Sequence, residues 1–389
     1  MRDEARVPTE VSYHGGKFSW GYDIPLHVDA IRWLWFLLLT DRDLEEGTML
    51  SAAAYFATGN EVPIHPVAKG FRLRANQVMA DYLRGLWDHS IASIAQSHGE
   101  SFIKNVRFHA VITLPAAWQE RGRRAIENAA GEAGIMNDRP AGATQLSIVP
   151  RPMATALATL GQDNRLVRQG ELYTVCYLGS RRADVQTYQV IQVSPVILQR
   201  VLQPTWGTCP GDQVENGFES LLRSCLGDAL NYLSQADVKE VVTGEWQIGI
   251  KPAFQKHGDT KKYYVNIPAH SVKNPASLDS QYNSRMKNGR LQLSSADIEQ
   301  VFAEYVSTIR PLIWGQMQRI CSNNLKATGI LAAGGLGSNP YLYDLIKDTY
   351  QPSGYTVLHS YPHQTAACWG AIYHGLVAAS QEHQIPTSK

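Results

Sequence analysis

The sequence predicts an α/β fold, and three features carry that prediction. Strands run directly into helices at two places: "RFHAVITLP" into "QERGRRAIENAAGEAGI", and "ILAAGG" into "NPYLYDLI". That order belongs to a sheet covered by helices. Residues 171–204 hold three short β-rich runs joined by brief turns, an antiparallel meander. A long amphipathic helix follows over 294–324. At 389 residues the chain has the length of two or three domains.

The first 75 residues mix short extended pieces, "EVSYHGGKFSWGY", with the apolar run "IRWLWFLLLT" from Ile31 to Thr40. That run contains Arg32 and is about half of the roughly 20 residues a bilayer crossing needs, so it reads as a buried helix. The N-terminal "MRDEARVPTE" has no apolar core of a signal peptide. Val78, Met79, Tyr82, Leu83, Leu86, Ile91, Ile94 and Ala95 recur near helical spacing and predict a helix over 77–97. A strand then ends at Pro115, and the helix after it stops near Gly134. "LYTVCYL", "DVQTYQVIQV" and "VILQRVLQP" make the meander, with a tight turn at "GSRR". "GDQVENGFESLLRSCLGDALNYL" is helical, and about 237–293 is mixed and loop-rich.

In the long helix, Ile298, Val301, Phe302, Tyr305, Ile309, Leu312, Ile313 and Ile320 form the apolar stripe. Ser294 and Asp297 suit its start, and Pro311 is expected to bend it. "YTVLHS" is the last strand and "QTAACWGAIYHGLVAAS" a helix of small residues.

Composition narrows the function classes. A formal net charge of +1 points neither to nucleic acid nor to an anionic membrane as partner. The five cysteines, Cys176, Cys209, Cys225, Cys321 and Cys368, are odd in number, scattered, and nowhere spaced as CxxC. Reduced thiols of a cytoplasmic protein fit this pattern, and a zinc cluster does not.

The Gly-rich turn at Gly334, Gly335, Gly337 and Ser338 follows a buried strand, and Asn339-Pro340 opens a helix behind it. Glycines there let the backbone approach a flat or anionic ligand beside a helix N-terminus. Alone, such a turn is as readily only a tight turn. The order of pieces is more specific. "VITLPAAWQERGRRAIENAAGEAGI", "IVPRPMATALA", "YLGSRRADVQTYQV", "GTCPGDQVENGFESLL", "VFAEYVSTIRPL" and "ILAAGGLGSNPYLYDLI" follow one another. Together they resemble the ATPase domain of the seventy-kilodalton heat-shock chaperones, in the divergent form common in filamentous fungi.

The resemblance covers roughly residues 7 to 378. It implies the actin-like ATPase fold, ribonuclease H-like, with two lobes that each carry a mixed sheet flanked by helices. On that reading lobe I is 1–166, with the helix of 364–389 packing back on it. Lobe II is 167–363 and includes a smaller subdomain over about 235–295. Lobe I is expected to be truncated, because the family's first phosphate loop and the strands around it have no match. Its sheet edge is then capped by the new N-terminal segment, by a second chain in a homo-oligomer, or by residues encoded upstream. The peptide-binding domain of the chaperones is likewise unmatched.

Within the resemblance, the departures concern the chemistry. The family's hairpin reads Asp-Leu-Gly-Gly-Gly-Thr-x-Asp, wraps the phosphates and organises hydrated magnesium. Here the positions are Tyr177, Leu178, Gly179, Ser180, Arg181, Arg182, Ala183 and Asp184. The family's Glu-Pro-x-Ala-Ala-Ala, whose Glu positions the attacking water, has become Arg151-Pro152-Met153-Ala154-Thr155-Ala156. Magnesium-assisted phosphoryl transfer needs those carboxylates and donors. Each lost charge-stabilising group costs about two to three orders of magnitude in rate.

The sequence therefore leads to a degenerate ATPase domain that no longer hydrolyses ATP and binds or scaffolds a protein partner. The alternative is an enzyme of secondary metabolism acting on a small molecule in the former nucleotide cleft. No cofactor is expected: the substitutions disfavour magnesium, and ATP or ADP binding is residual. The candidate catalytic residues are Arg151, Arg181, Arg182, Asp184 and Tyr177. Gly334, Gly335, Gly337, Ser338, Gly211 and Gly179 are the candidates for ligand binding, and no residue is assigned to a metal. The arginines either clamp a carboxylate or phosphate or point into water at a hairpin tip. Asp184 is a salt-bridge partner for a nearby arginine or a polar contact in the site, and Tyr177 a hydrogen-bond donor or packing. His109, His359 and His363 remain as titratable groups near neutral pH.

Overall fold

The computed structural model describes residues 7–25, 28, 30–32, 34, 38, 75–116, 118, 120–162, 167–209, 213–227, 241–256, 261–267, 285–287, 289–360 and 365–382. In chain order the strands are β1 Glu10–Ser12, β2 Ser19–Trp20, β3 Ile31–Arg32, β4 His109–Leu114, β5 Gln145–Pro150, β6 Leu172–Leu178 and β7 Arg182–Val193. They continue with β8 Val196–Arg200, β9 Thr205–Thr208, β10 Lys262–Asn266, β11 Met286–Lys287, β12 Arg290–Ser294, β13 Gly329–Ala333 and β14 Thr356–His359. The longer helices are α1 Ala75–His98, α2 Glu100–Asn105, α3 Glu120–Glu132, α4 Arg151–Leu160, α5 Gln213–Leu226, α6 Ser295–Ser322, α7 Pro340–Tyr350 and α8 Ala366–Glu382. They fall into two compact units, Met1–Leu157 with Ala367–Lys389, and Ala158–Ala366.

In the first unit β4 and β5 lie parallel, joined through α3. Side chains alternate along each strand, so Ala110, Ile112, Leu146 and Ile148 share the face that packs on α1 and α3. Val78, Met79, Tyr82 and Leu83 of α1 and Ile126, Ala129 and Ala130 of α3 fill that core. α8 covers the other face, where a β-carbon on Gly375 would come 3.2 Å from Val111 Cγ2. α8 also meets α4 so closely that a β-carbon on Gly370 would overlap the carbonyl oxygen of Ala154 at 1.5 Å. β1, β2 and β3 form a separate antiparallel sheet. It packs on α1: Tyr13 donates to Asp81 at 2.7 Å, and Trp20 lies over Gly85.

The apolar run at 31–40 thus begins as a strand rather than a helix. Ile31 is buried opposite Val11, and a β-branched residue with a strand partner favours the extended form. Leu34 and Leu38 are buried as expected, and the remainder of the run lies outside the described residues.

The second unit is built on a six-stranded sheet in the order β14-β13-β6-β7-β8, with β9 also paired to β7. β6, β13 and β14 are mutually parallel, while β7 runs antiparallel to β6 and to β8. Two parallel neighbours enclose β13, and all of its residues are buried, as an apolar run in a covered sheet requires. The meander was expected as three strands. The third, expected over 196–204, ends as β8 at Arg200, with Val201 N–H still donating to Thr187 C=O at 3.1 Å. A further strand, β9, pairs with β7 beyond Pro204. Gln186 closes the gap by donating to the Leu202 carbonyl at 2.6 Å.

α6 begins on a capping box: Ser294 Oγ accepts from Asp297 N–H, and the Asp297 carboxylate accepts from Ser294 N–H. Its buried stripe of Ile298, Val301, Phe302, Tyr305, Ile309, Ile313, Met317 and Ile320 recurs every three or four residues. The helix runs on through Pro311 without interruption. The stretch expected to be loop-rich holds a π-helical segment, Val242–Ile250, and the small antiparallel sheet β10-β12-β11. Trp246 of that segment stacks on Phe218 of α5, with ring centroids 4.2 Å apart. Among the described residues no helix is long and apolar enough to cross a membrane.

Candidate functional site

The parallel pairing of β6 with β13 places Tyr177 beside Ala333, so both strands end at the same level. The hairpin tip after β6 and the Gly-rich turn after β13 therefore abut at the carboxyl ends of the strands. In open α/β sheets this is where ligands bind. Tyr177, Gly179, Arg181, Arg182, Asp184, Gly334, Gly335, Gly337 and Ser338 are brought together here, within the second unit.

The hairpin closes tightly, with Leu178 opposite Ala183 and Gly179 N–H donating to Arg182 C=O at 2.9 Å. Other backbone groups of the turn are engaged too. Tyr305 of α6 donates its hydroxyl to Gly179 C=O at 2.9 Å, and Cys209 N–H donates to Arg181 C=O at 2.7 Å. Burial holds the Tyr305 phenol far above its usual pKa, so it acts as a neutral donor. Burial likewise pushes the Cys209 thiol up to about 12, against the opposing pull of Arg182, and makes it inert.

The two arginines part company at the tip. Arg182 turns inward: its Nε lies 3.0 and 3.1 Å from the two carboxylate oxygens of Asp184, which is 2% exposed. Its guanidinium sits 4.2 Å over the ring of Trp206. Nη2 is 2.9 Å from Asp184 Oδ1, within ion-pair distance, but makes no well-aligned hydrogen bond and is itself buried. Arg182 and Asp184 are two residues apart on one face of β7, and Trp206 lies opposite Asp184 on β9. Arg182 therefore does not point into water as a solvated tip would. Asp184 fulfils the salt-bridge reading. Arg181 stays half-buried at the turn.

In the Gly-rich turn, Gly334 has φ +87°, and a β-carbon there would lie 2.6 Å from Leu178 C=O. Both the backbone angle and the contact with the hairpin require glycine. Gly335 is exposed, and Gly337 C=O lies 3.2 Å from His359 Nε2. Ser338 Oγ donates back to Gly334 C=O at 2.9 Å. Asn339 caps α7 by accepting from Leu342 N–H and donates to Lys251 C=O. His359 stacks on Tyr343, with centroids 4.3 Å apart.

Arg151 belongs to the first unit, as the first residue of α4 directly after β5. A cation at a helix N-terminus opposes the macrodipole. His109 Nε2 lies 2.8 Å from Ser147 Oγ, and its buried Nδ1 has no partner. Burial, and then His109, lower the pKa of His374 on α8. Gly211 and His363 lie outside the described residues.

The supports of the hairpin were not singled out from the sequence: Trp206, Tyr305 and Cys209 reach it from β9, α6 and the segment after β9. Only the Arg-x-Asp spacing on a strand, which puts both side chains on one face, was legible in advance. The hairpin does not fit a hydrated magnesium ion. Tyr177 offers a phenol where a carboxylate is needed, and the one carboxylate, Asp184, is enclosed by Arg182. Among the described residues no three His, Cys, Asp or Glu side chains converge as a metal site.

No protein-family model matches the chain, and no curated protein matches it. Solved structures do. MreB5 of Spiroplasma citri bound to ADP is 14% identical, with 78% of each chain covered and a TM-score of 0.52. The same protein bound to AMPPNP gives 14% identity over 79% of this chain and 78% of that one, again with a TM-score of 0.52. At this identity the likeness is one of architecture. The chain has the actin-like ATPase fold.

Proposed function

We propose that the chain is a degenerate ATPase domain of the heat-shock-chaperone kind, without ATP hydrolysis, that works as a binding or scaffolding module for a protein partner. The observation that carries this reading is the Arg182–Asp184 pair. Asp184 stands where the chaperone hairpin keeps its last aspartate, yet its carboxylate is buried and paired with a guanidinium, which opposes a role in holding a metal-bound water. Removing one group that stabilises transition-state charge costs about 10²–10³ in rate. Tyr177, Arg151 and the engaged Asp184 each remove one. The hairpin survives as structure: its backbone is tied to α6 and β9, which a rigid binding surface needs and a phosphate-wrapping loop does not.

The test is phosphate release from ATP with and without magnesium, alongside thermal shift with the same nucleotides. No magnesium-dependent release is expected. Phosphate release that needs magnesium and scales with protein concentration rejects the reading. A second reading rests on Arg181, half-buried at the hairpin tip beside the Gly-rich turn, where it serves an anionic small molecule in a biosynthetic reaction. Arg181→Ala would then abolish product formation with nearly unchanged melting temperature, and unaltered product formation removes that reading.

A further inference from the structure

Among the described residues, the parallel pair β4–β5 has an unpaired outer edge along β4. Gln145 N–H donates to Phe108 C=O, which sets the ladder's phase. Backbone groups of alternate residues in a strand face opposite neighbours. Ala110, Ile112 and Leu114 thus address β5, and His109, Val111 and Thr113 turn their N–H and C=O groups outward. Among the described residues no strand or loop is bonded to that outer edge. Nor does the edge carry the usual protection against pairing: "HAVITL" has no lysine, acid or proline, and its register has no bulge.

α8 lies over the His109–Val111 face through Gly375. At about 100° per residue, Trp369, Ile372 and Leu376 fall in one stripe roughly a quarter turn from Gly375, on the flank away from Gly370. They are 57%, 52% and 66% exposed. Gly370 faces α4, which continues directly from β5 and so occupies the β5 side of α8. The apolar stripe consequently lies toward the outer edge of β4. Two surfaces that both want a cover, one by hydrogen bonds and one by apolar contact, stand side by side.

We propose that a second copy of this chain is the cover. Two chains pair antiparallel through β4 around a two-fold axis at Val111, and the stripes of their α8 helices meet above the joined strands. The edge is self-complementary in this arrangement. Val111 meets Val111 of the second copy and His109 meets its Thr113, and each such pair exchanges two N–H···O bonds. A two-fold axis normal to the sheet keeps both α8 helices on the same face, so apolar stripe meets apolar stripe. Neither β4 nor the stripe bears a charged side chain, and the formal net charge is +1, so like-charge repulsion does not oppose the contact. The result is a four-stranded sheet, where an isolated pair of strands is marginal. A lone foreign strand would satisfy the edge and leave the stripe in water.

Sedimentation equilibrium of the full chain over about 0.1–50 µM tests this, with a dimer expected to dissociate in the micromolar range, the regime of a modest interface. The double variant Ile372→Glu/Leu376→Glu replaces exposed side chains, so the monomer folds, and it brings like charges together at the axis. It is expected to weaken dimerisation by at least about 100-fold, since central apolar contacts dominate such interfaces. Hydrogen exchange on the same samples reads the edge directly: the amides of His109, Val111 and Thr113 are protected in the dimer and exchange freely in the double variant. A wild-type chain that stays monomeric throughout overturns the proposal. So does a double variant that dimerises as tightly as wild type, or edge amides that exchange freely within the dimer.

Discussion

β13 and β4 are similar runs of small and branched apolar residues, "GILAA" and "HAVITL", each ahead of a helix, yet they end in different surroundings. Every residue of β13 is buried, whereas in β4 only Leu114 is and the other positions are half-exposed. Side-chain hydrophobicity does not separate them. Neighbours do: β13 lies between β6 and β14, while β4 has β5 alone among the described residues. Burial of a strand is a property of its pairing as much as of its composition. The second unit adds an ion-paired anchor inside its sheet, the Arg182–Asp184–Trp206 cluster, where β4 and β5 share the neutral contact of His109 with Ser147.

Removing that anchor should have the largest effect. Arg182→Ala leaves a buried, unpaired carboxylate and is expected to cost about 3–5 kcal/mol in chemical denaturation. The double variant Arg182→Met/Asp184→Leu should recover most of that loss, because no charge then remains buried. A single-variant loss under about 1 kcal/mol would mean that the pair is solvated.

The two strands themselves come next. Leu331→Ala in β13 empties a fully enclosed site and is expected to cost about 2–5 kcal/mol. Ile112→Ala in β4 should cost less, roughly half as much, in dilute protein. Equal losses would show that β4 is as enclosed as β13.

The smallest effect is on pH. Burial and His109 lower the pKa of His374 from its ordinary 6.5, so the folded chain holds this imidazole neutral. Its contribution to stability is complete above pH 6.5 and is lost as pH falls below that value, where the unfolded chain takes up a proton first. Melting temperature should therefore fall between pH 7 and pH 5, and His374→Gln should flatten the slope. An unchanged slope would place His374 in water.

The parts of the fold legible in the sequence were those governed by near neighbours. The stripe of α6, its Ser294–Asp297 cap, the β6–β7 hairpin and the β13-turn-α7 unit follow from spacing over a few residues. Ile31 was misread because its strand partner, Val11, is distant in sequence. The end of β8 at Arg200 and the separate strand β9 were missed because both show only against β7. At the site, residue types were legible, among them the phenol of Tyr177 and the arginines of the hairpin tip from which the functional proposal starts. The direction of Arg182 was not, since the ring that receives it comes from another strand.

Composition and periodicity alone determined that this chain makes helices and strands in an α/β order, and which residues form the hairpin and the Gly-rich turn. Those are local consequences of backbone geometry and side-chain spacing. Tertiary structure alone decided that one arginine of the tip is enclosed by Asp184 and Trp206, that Gly334 yields to the backbone of Leu178, and that β4 has β5 alone beside it among the described residues. Each of these depends on which distant segment lies alongside, and pairing between remote strands leaves no periodic trace in the sequence of either one.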